Sequence, residues 1–341
     1  MIGGGGSGGI TPAFIDAPFE ALQRRSRADR TYPAWDFASQ NPSVNGASDV
    51  CLVFINEQAS EGWDRRNLAD PWSDELVINV AAQCNNTQVI VHSAGIRLID
   101  RWIHNENITA VIFAHLPGQE TGQSLVDILY GNVSPSGRLP YTVARAESDY
   151  DSLLHTIVPD NASDLWCPQD NFTEGLHIDY KSFIARNVTP RFDFGFGLAY
   201  TEFRYVDIDV EVASEIRACS AGEFYGGENT VVQSTGGDPD LWRIVATADC
   251  TIKNVSDVAA AEVAQLYLHI PGGPARVLRE FEKVYLQPEQ EKSVSFTLTQ
   301  GDLSSWNVGA QHLQLQEGEY NVSIGKSVLD TQLSRLLQIH R

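Results

Sequence analysis

The chain has 341 residues, of which 43% are hydrophobic and 20% are charged, and its formal net charge is -20 at pH 7. This length exceeds one typical domain, and the composition indicates a soluble, globular protein rather than a disordered one. Because an acidic chain with scattered Lys and Arg residues repels phosphate backbones, nucleic acid is not an expected partner. No apolar run reaches the length of a membrane span, so no membrane partner is expected either. A neutral ligand such as a sugar fits this composition better.

Acceptor motifs for N-glycosylation, Asn-x-Ser/Thr, are unusually dense in the chain. One such motif carries little information, but eight together predict a secreted, extracellular glycoprotein. The alternative is coincidence in an Asn-rich cytosolic chain. The acceptor asparagines are Asn85, Asn107, Asn132, Asn161, Asn171, Asn187, Asn254 and Asn321.

The five cysteines form no Cys-x-x-Cys motif, so neither a zinc site nor a thioredoxin motif is expected. Cys219 and Cys250 flank the same Gly-rich insertion and are the first candidates for a disulfide, although the sequence leaves the pairing open. Met1 leads straight into the run Gly3–Gly9, without the charged start and apolar core of a signal peptide. For a secreted protein, we therefore expect the export signal to lie on sequence upstream of this chain.

After residue 48, short apolar strands alternate with helices. Asp70 followed by Pro71 predicts a helix start, and this helix is expected to run to about Cys84. The alternation predicts βαβ units on a mostly parallel sheet flanked by helices, with ligand loops at the carboxyl ends of the strands. The other predicted elements are strands over 50–55, 89–91 and 111–114 and helices over 96–104 and 121–129.

Beyond residue 140 the alternation stops. Residues 149–190 hold three acceptor motifs and few periodic apolar positions, which predicts a glycosylated surface excursion of an α/β domain spanning 49–200. Residues 1–48 are interpreted as a linker and entry segment. From residue 201 to 341, period-two runs separated by Gly and Pro predict a small β-sandwich, with a loop insertion over 222–238.

The densest polar cluster follows the first predicted strand, over residues 56–67. Glu57 and Glu61 lie there beside Gly62 and Trp63. A carboxylate at the carboxyl end of a strand can be partly desolvated, which raises its pKa as a general acid requires. Trp63 offers a flat apolar face on which a sugar ring can stack. The pattern alone leaves a second interpretation open, in which the loop is solvated and Trp63 fills the core.

Other polar residues are interpreted as structural. His92, His104 and His115 lack metal-ligand spacing, and Ser93 lacks the Gly-x-Ser-x-Gly elbow of serine hydrolases. The run Gly3–Gly9 follows no strand and precedes no Lys-Ser/Thr pair, so a linker is predicted rather than a phosphate loop. Neither a metal nor another cofactor is expected.

Residues 60–68, Ser-Glu-Gly-Trp-Asp-Arg-Arg-Asn-Leu, resemble the acid/base loop of fungal glycoside hydrolase family 3 β-glucosidases. In that family a Glu-Gly-aromatic unit precedes an Asp-Arg-x-x-Leu stretch. Further motifs resemble the family in the same order and cover essentially the whole chain, the last of them resembling its fibronectin type III-like tail. They are Ile10–Pro12, Ala94–Gly95, Pro117–Gly122, Ser136–Thr142, Thr173–Gly175 with Asp179–Tyr180, Phe194–Thr201 and Arg276–Val284.

The resemblance implies the C-terminal half of a retaining β-glucosidase, made of an α/β sandwich domain and a fibronectin type III-like domain. It implies that Glu61 is the general acid/base and that Trp63 lines the subsite of the leaving group. Glu57 is a fallback acid because the loop is shorter than in many relatives, and Glu120 is a further alternative. The retaining mechanism needs two carboxylates about 5 Å apart, and the family's Asp nucleophile belongs to an N-terminal barrel that the residues before Ile10 cannot form.

Two functions remain open at this point. In the first, the chain is part of a secreted enzyme that hydrolyses terminal β-D-glucosyl residues of cello-oligosaccharides or aryl glucosides, during the breakdown of cellulose. The isolated chain is then inactive and exposes an apolar surface that the barrel covers. In the second, the chain is a noncatalytic carbohydrate-binding or scaffolding protein without a barrel. The coding sequence upstream distinguishes these functions.

Overall fold

The computed structural model describes residues 2–62, 65–154, 171–213 and 239–339. They form two compact units. The first unit comprises Met1–Val133 and Val143–Thr173, and the second comprises Ser134–Thr142 and Glu174–Arg341. Several residues named above lie outside the described parts of the chain: Trp63, Asn161, Cys219 and the insertion 222–238.

The first unit is built on the predicted parallel sheet. Its strands are β1 (Cys51–Glu57), β2 (Thr87–Ser93) and β3 (Ile108–Phe113), in the order β1-β2-β3. The central strand β2 lies between β1 and β3 and carries consecutive buried apolar residues, as is typical of parallel strands. The α/β class predicted from the alternation is therefore confirmed.

The described part of this unit contains the helices α1 (Pro18–Asp29), α2 (Pro71–Ala81) and α3 (Thr121–Leu129). Helix α2 begins where Asp70 predicts, since this carboxylate accepts hydrogen bonds from the backbone N–H groups of Trp72 at 3.3 Å and Ser73 at 3.0 Å. Helix α1 was not predicted, because seven of its twelve residues are polar or charged and its apolar periodicity is weak. Its signal is Pro18 at the first position of the helix.

The prediction of a helix over residues 96–104 is wrong. Residues 96–99 have no regular secondary structure, and turns follow over 100–104. The backbone N–H of Leu98 donates to the carbonyl of Leu68 at 2.9 Å, while the Arg97 side chain is completely buried. A helix over these residues would break these long-range contacts.

The second unit contains the predicted β-sandwich, with antiparallel sheets in the orders β12-β11-β6-β7, β4-β5-β8 and β10-β9. Its all-β class is confirmed. A short helix, α4 (Tyr180–Ala185), precedes the strands, and α5 (Gln300–Leu303) lies between β8 and β9. The strands are β4 (Phe203–Val212), β5 (Ile244–Asn254), β6 (Ala260–His269), β7 (Val277–Leu286), β8 (Glu291–Thr299), β9 (Ser304–Asn307), β10 (His312–Leu315), β11 (Gly318–Gly325) and β12 (Thr331–Ile339).

The core of the second unit is a continuous apolar cluster that draws side chains from both larger sheets, including Ala248, Leu266, Phe296 and Val322. Cys250 lies in this cluster as a free thiol, and burial raises its pKa to about 12. The expected pairing of Cys250 with Cys219 is therefore not formed.

A disulfide joins Cys51 to Cys84 instead, so it ties the first residue of β1 to the turn that follows α2. The two cysteines are 33 residues apart in the sequence, which is why spacing alone did not single them out. None of the helices in the described parts of the chain is long and apolar enough to span a bilayer.

One glycosylation prediction conflicts with the structure. Asn254 is completely buried at the end of β5, and its side-chain nitrogen donates to the carbonyls of Val258 at 2.8 Å and Leu286 at 3.2 Å. A glycan on that nitrogen would remove one donor and has no room. Most of the other described acceptor asparagines are exposed, namely Asn85, Asn132, Asn171 and Asn187, while Asn107 and Asn321 are half-buried.

Candidate functional site

The loop after β1 carries both carboxylates that the sequence singled out. Glu57 is the last residue of β1, and Glu61 lies four residues further on, at the carboxyl edge of the parallel sheet. Glu61 is exposed. This edge is where α/β sheets bind their ligands, because the connecting loops converge there.

The glycine run of residues 3–9 lies against this loop instead of serving as a free linker. Gly5 donates its N–H to the carbonyl of Ala59 at 3.0 Å and forms a parallel bridge with Ser60. On the other side, the N–H of Gly118 donates to the carbonyl of Ile2 at 3.1 Å. The run therefore extends from the loop after β1 to the loop after β3, which sequence reasoning missed. The available signal was the density of glycine itself, since chains without Cβ atoms can approach one another closely.

Glu61 receives its contacts from this run. The Ser7 backbone N–H donates to Glu61 Oε2 at 2.7 Å. Hydrogen bonds from the Ser7 hydroxyl and backbone amide lower the pKa of Glu61, because they stabilise its charged form. In this chain by itself, Glu61 therefore lacks the raised pKa that a general acid requires.

Glu57 has the opposite environment. Its Oε1 lies 2.9 Å from Arg97 Nε, and Arg97 Nη2 lies 2.6 Å from Asp74 Oδ1. Trp102 donates its indole N–H to the same Asp74 oxygen at 2.8 Å. Arg97, Asp74 and Trp102 are fully buried, so one buried guanidinium is shared by two carboxylates from β1 and α2. We call Glu57, Asp74, Arg97 and Trp102 the Arg97 cluster.

Arg65 extends this arrangement to the far end of the loop. Its Nη2 donates to the carbonyl of Ile96 at 2.6 Å, and its Nη1 lies 3.8 Å from Glu57 Oε2. The neighbouring Arg66 is exposed. Glu57 at the start of the loop and Arg65 near its end therefore fix the two ends of the segment that carries Glu61.

Burial raises the pKa of Glu57, although the positive charges of Arg97 and Arg65 oppose the shift. The raised pKa by itself resembles that of a general acid. However, both carboxylate oxygens face guanidinium groups and the side chain is largely enclosed, so Glu57 is not free to approach a substrate. The contacts fit a structural carboxylate.

The remaining sequence candidates contribute little to this edge. Trp63 lies outside the described residues. Glu120 is exposed where α3 begins. His92 is buried against the ring of Phe54, and burial lowers its pKa to about 4, so it is neutral. Among the residues that the structure describes, no group of three or more His, Cys, Asp or Glu side chains has the arrangement of a metal site.

Comparison with known proteins agrees with both units. Residues 1–200 match the glycosyl hydrolase family 3 C-terminal domain, and residues 262–328 match the fibronectin type III-like domain. The fold and the match define a glycosidase-type α/β domain followed by a β-sandwich. The chain belongs to glycoside hydrolase family 3, as its motifs predicted.

The relatives are β-glucosidases. "Probable beta-glucosidase M" of Aspergillus niger is 50% identical over 331 residues, which are 97% of this chain and 42% of the relative. "Beta-glucosidase cel3A" of Pyricularia oryzae is 47% identical over 339 residues, again 42% of its length. The crystal structure of the β-D-glucoside glucohydrolase from Trichoderma reesei matches 99% of this chain and 47% of its own, with 34% identity and a TM-score of 0.86. The chain thus spans less than half the length of these relatives and corresponds to their C-terminal part.

Proposed function

We propose that this chain is the C-terminal part of a secreted, retaining β-glucosidase and that Glu61 is its general acid/base. The observation that carries the proposal is Glu61 itself, an exposed carboxylate at the ligand-binding edge of the sheet, contacted by Ser7. The names of the relatives support the reaction, and they suggest β-glucosides such as cello-oligosaccharides as substrates.

The proposed reaction has two steps. In the first, a carboxylate nucleophile attacks the anomeric carbon while Glu61 gives its proton to the departing glycosidic oxygen. In the second, the ionised Glu61 takes a proton from water, which attacks the same carbon and releases the nucleophile and glucose. The nucleophile would come from the N-terminal barrel of the complete enzyme.

The lowered pKa of Glu61 is compatible with this cycle. A second carboxylate about 5 Å away disfavours the charged form of its neighbour, so the nucleophile would raise the pKa of Glu61 in the complete enzyme. When the nucleophile becomes esterified its charge is lost, and the Ser7 hydrogen bonds then favour ionised Glu61, which is the form needed as a base.

The first unit offers a surface for the proposed barrel. Large apolar side chains are exposed over a short stretch of residues near the start of the chain, which is unusual for a surface without a partner. They are Ile10, Phe14, Ile15, Tyr32, Trp35 and Phe37.

Activity of the isolated chain and of a hybrid enzyme tests the proposal. The 341-residue chain alone should not hydrolyse an aryl β-glucoside. When it replaces the matching C-terminal part of the Aspergillus niger relative, the hybrid should hydrolyse cellobiose.

In that hybrid, Glu61→Ala should reduce kcat for cellobiose by about 100-fold or more, because general acid catalysis contributes this much and an alkoxide leaves poorly without a proton. A dinitrophenyl glucoside should be affected far less in its glycosylation step, because its phenolate leaves unaided. Equal losses of kcat/KM, which reports the glycosylation step, on the two substrates would rule out Glu61 as the acid.

A further inference from the structure

We propose that the glycine run is a positioning element for Glu61, in which Gly6 provides the close approach and Ser7 provides the hydrogen bonds that fix the carboxylate. This inference rests on the proposed function of Glu61. It assigns a role to residues that the sequence alone presents as a linker.

The first support is steric. Gly6 has φ of +64°, in the left-handed region. A Cβ atom built on Gly6 would lie 2.4 Å from Glu61 Cβ and 3.0 Å from Glu61 Oε2. A side chain at position 6 would therefore both strain the backbone and push Glu61 out of its place.

Other glycines of the run differ in how closely they approach the loop of Glu61. A Cβ atom on Gly5 would lie 2.5 Å from Ser60 Oγ, whereas a Cβ atom on Gly8 would meet nothing within 4 Å, and Gly8 has no positive φ. A flexible linker would need glycine equally at each position. Within this run, a Cβ atom would come closer than 3.0 Å to a neighbour only at Gly5 and Gly6, which touch the loop of Glu61.

The second support is the pair of hydrogen bonds from Ser7. The backbone N–H lies 2.7 Å from Glu61 Oε2, and the side-chain hydroxyl also contributes to the lowered pKa. Glu61 is exposed, and among the described residues the Ser7 amide and Gly6 are the groups that contact its side chain and orient it. Because a general acid works only within hydrogen-bond reach of the leaving oxygen, an orienting contact changes kcat.

The contact is measurable in the 341-residue chain by NMR, without any activity. The amide proton of Ser7 should titrate with the carboxylate to which it donates, with a midpoint below the ordinary value of a glutamate. The titration should disappear in Glu61→Gln. In Gly6→Ala it should move towards the ordinary value or be lost, while in Gly8→Ala it should be unchanged. A Ser7 amide that does not titrate, or that titrates in Glu61→Gln, overturns the proposal.

The catalytic arm uses the hybrid enzyme described above, with Gly8→Ala as the matched control for Gly6→Ala. We expect Gly6→Ala to lower kcat for cellobiose by about 100-fold, the effect of displacing a catalytic group by about 1 Å. The dinitrophenyl glucoside should lose far less in its glycosylation step, KM should change little, and the pH profile should shift. Gly8→Ala should match the parent. Because Ala at the positive φ of Gly6 strains the backbone, Gly6→Ala should lower Tm slightly, whereas Gly8→Ala should keep the parent's Tm.

A Gly6→Ala enzyme that behaves like Gly8→Ala, while Glu61→Ala still shows the leaving-group dependence, overturns the positioning role and leaves the acid assignment intact. Equal loss of kcat/KM for both substrates in Gly6→Ala with a large fall in Tm also overturns it, because the role would then be only structural. If Glu61→Ala shows no leaving-group dependence, the proposed function fails and the positioning role fails with it.

Discussion

Glu57 and Glu61 are separated by three residues, and their surroundings differ in every respect that matters for chemistry. Glu57 is held by Arg97 and Arg65 in a largely buried cluster, and burial raises its pKa. Glu61 is exposed, its carboxylate accepts a hydrogen bond from Ser7 in the glycine run, and its pKa is lowered. A shifted pKa therefore does not identify the catalytic residue by itself. Access to a substrate and freedom from a structural partner separate the two carboxylates.

The strongest way to disturb the buried side of this comparison is to remove Arg97. In Arg97→Met, Asp74 and Glu57 keep their buried carboxylates but lose the shared guanidinium. Removing one partner of a buried ion pair costs about 3–5 kcal/mol, so the free energy of unfolding in urea should fall by this amount. Arg101→Met is the matched control, because its pair with Glu75 is exposed and is worth about 0–1 kcal/mol. Equal losses in the two variants would contradict the structural role of the Arg97 cluster.

The contrast between buried and exposed groups also predicts which acceptor asparagines carry glycans. Asn254→Ala should lower the free energy of unfolding by about 1–3 kcal/mol, since two buried carbonyls lose their donor. When the protein is expressed through a secretory pathway, this variant should not change its glycan mass. Asn132→Ala should show the reverse, with a lost glycan and little change in stability, because Asn132 is exposed. Glycopeptide mapping that finds a glycan on Asn254 would contradict the buried position of this side chain.

A smaller effect concerns the pH dependence of stability. Because the pKa of Glu57 is raised in the folded state, the folded state binds this proton more tightly than the unfolded state does. Its contribution to stability therefore rises as pH falls from above the folded pKa to the ordinary glutamate value of about 4.3. Relative to Glu57→Gln, the parent should gain stability over that window. Urea unfolding at a series of pH values measures the difference, and a parent that loses stability relative to the variant would mean that Glu57 has a lowered pKa.

The parallel strands and the cap of α2 were predictable because their signals are local. The continuous apolar run of β1 and the Asp70-Pro71 pair each act over a few residues. The segment 96–104 was predicted wrongly because its conformation depends on Arg97, whose partners Glu57 and Asp74 lie 40 and 23 residues away in the sequence. No local pattern reports such a contact.

The candidate site divides in the same way. Glu61 was identified from its motif, and its role stays a proposal. The contact of Ser7 with Glu61 joins residues 54 positions apart and was not predicted, because the run Gly3–Gly9 has the composition of a linker. The disulfide between Cys51 and Cys84 was missed for a related reason, since only the fold brings β1 and the end of α2 together. Sequence motifs indicated the proposed acid/base, whereas its contacts with the glycine run required the structure.

Azide rescue tests most directly the assignment of Glu61, rather than Glu57, as the acid/base. A small anion attacks the covalent glucosyl intermediate without a general base, so it restores turnover only when the missing group is the base. In the hybrid enzyme with a dinitrophenyl glucoside, azide should accelerate Glu61→Ala and yield β-glucosyl azide. It should leave Glu57→Gln and the parent unchanged. Azide rescue of Glu57→Gln with none of Glu61→Ala would place the acid/base at the end of β1 and contradict the proposed site.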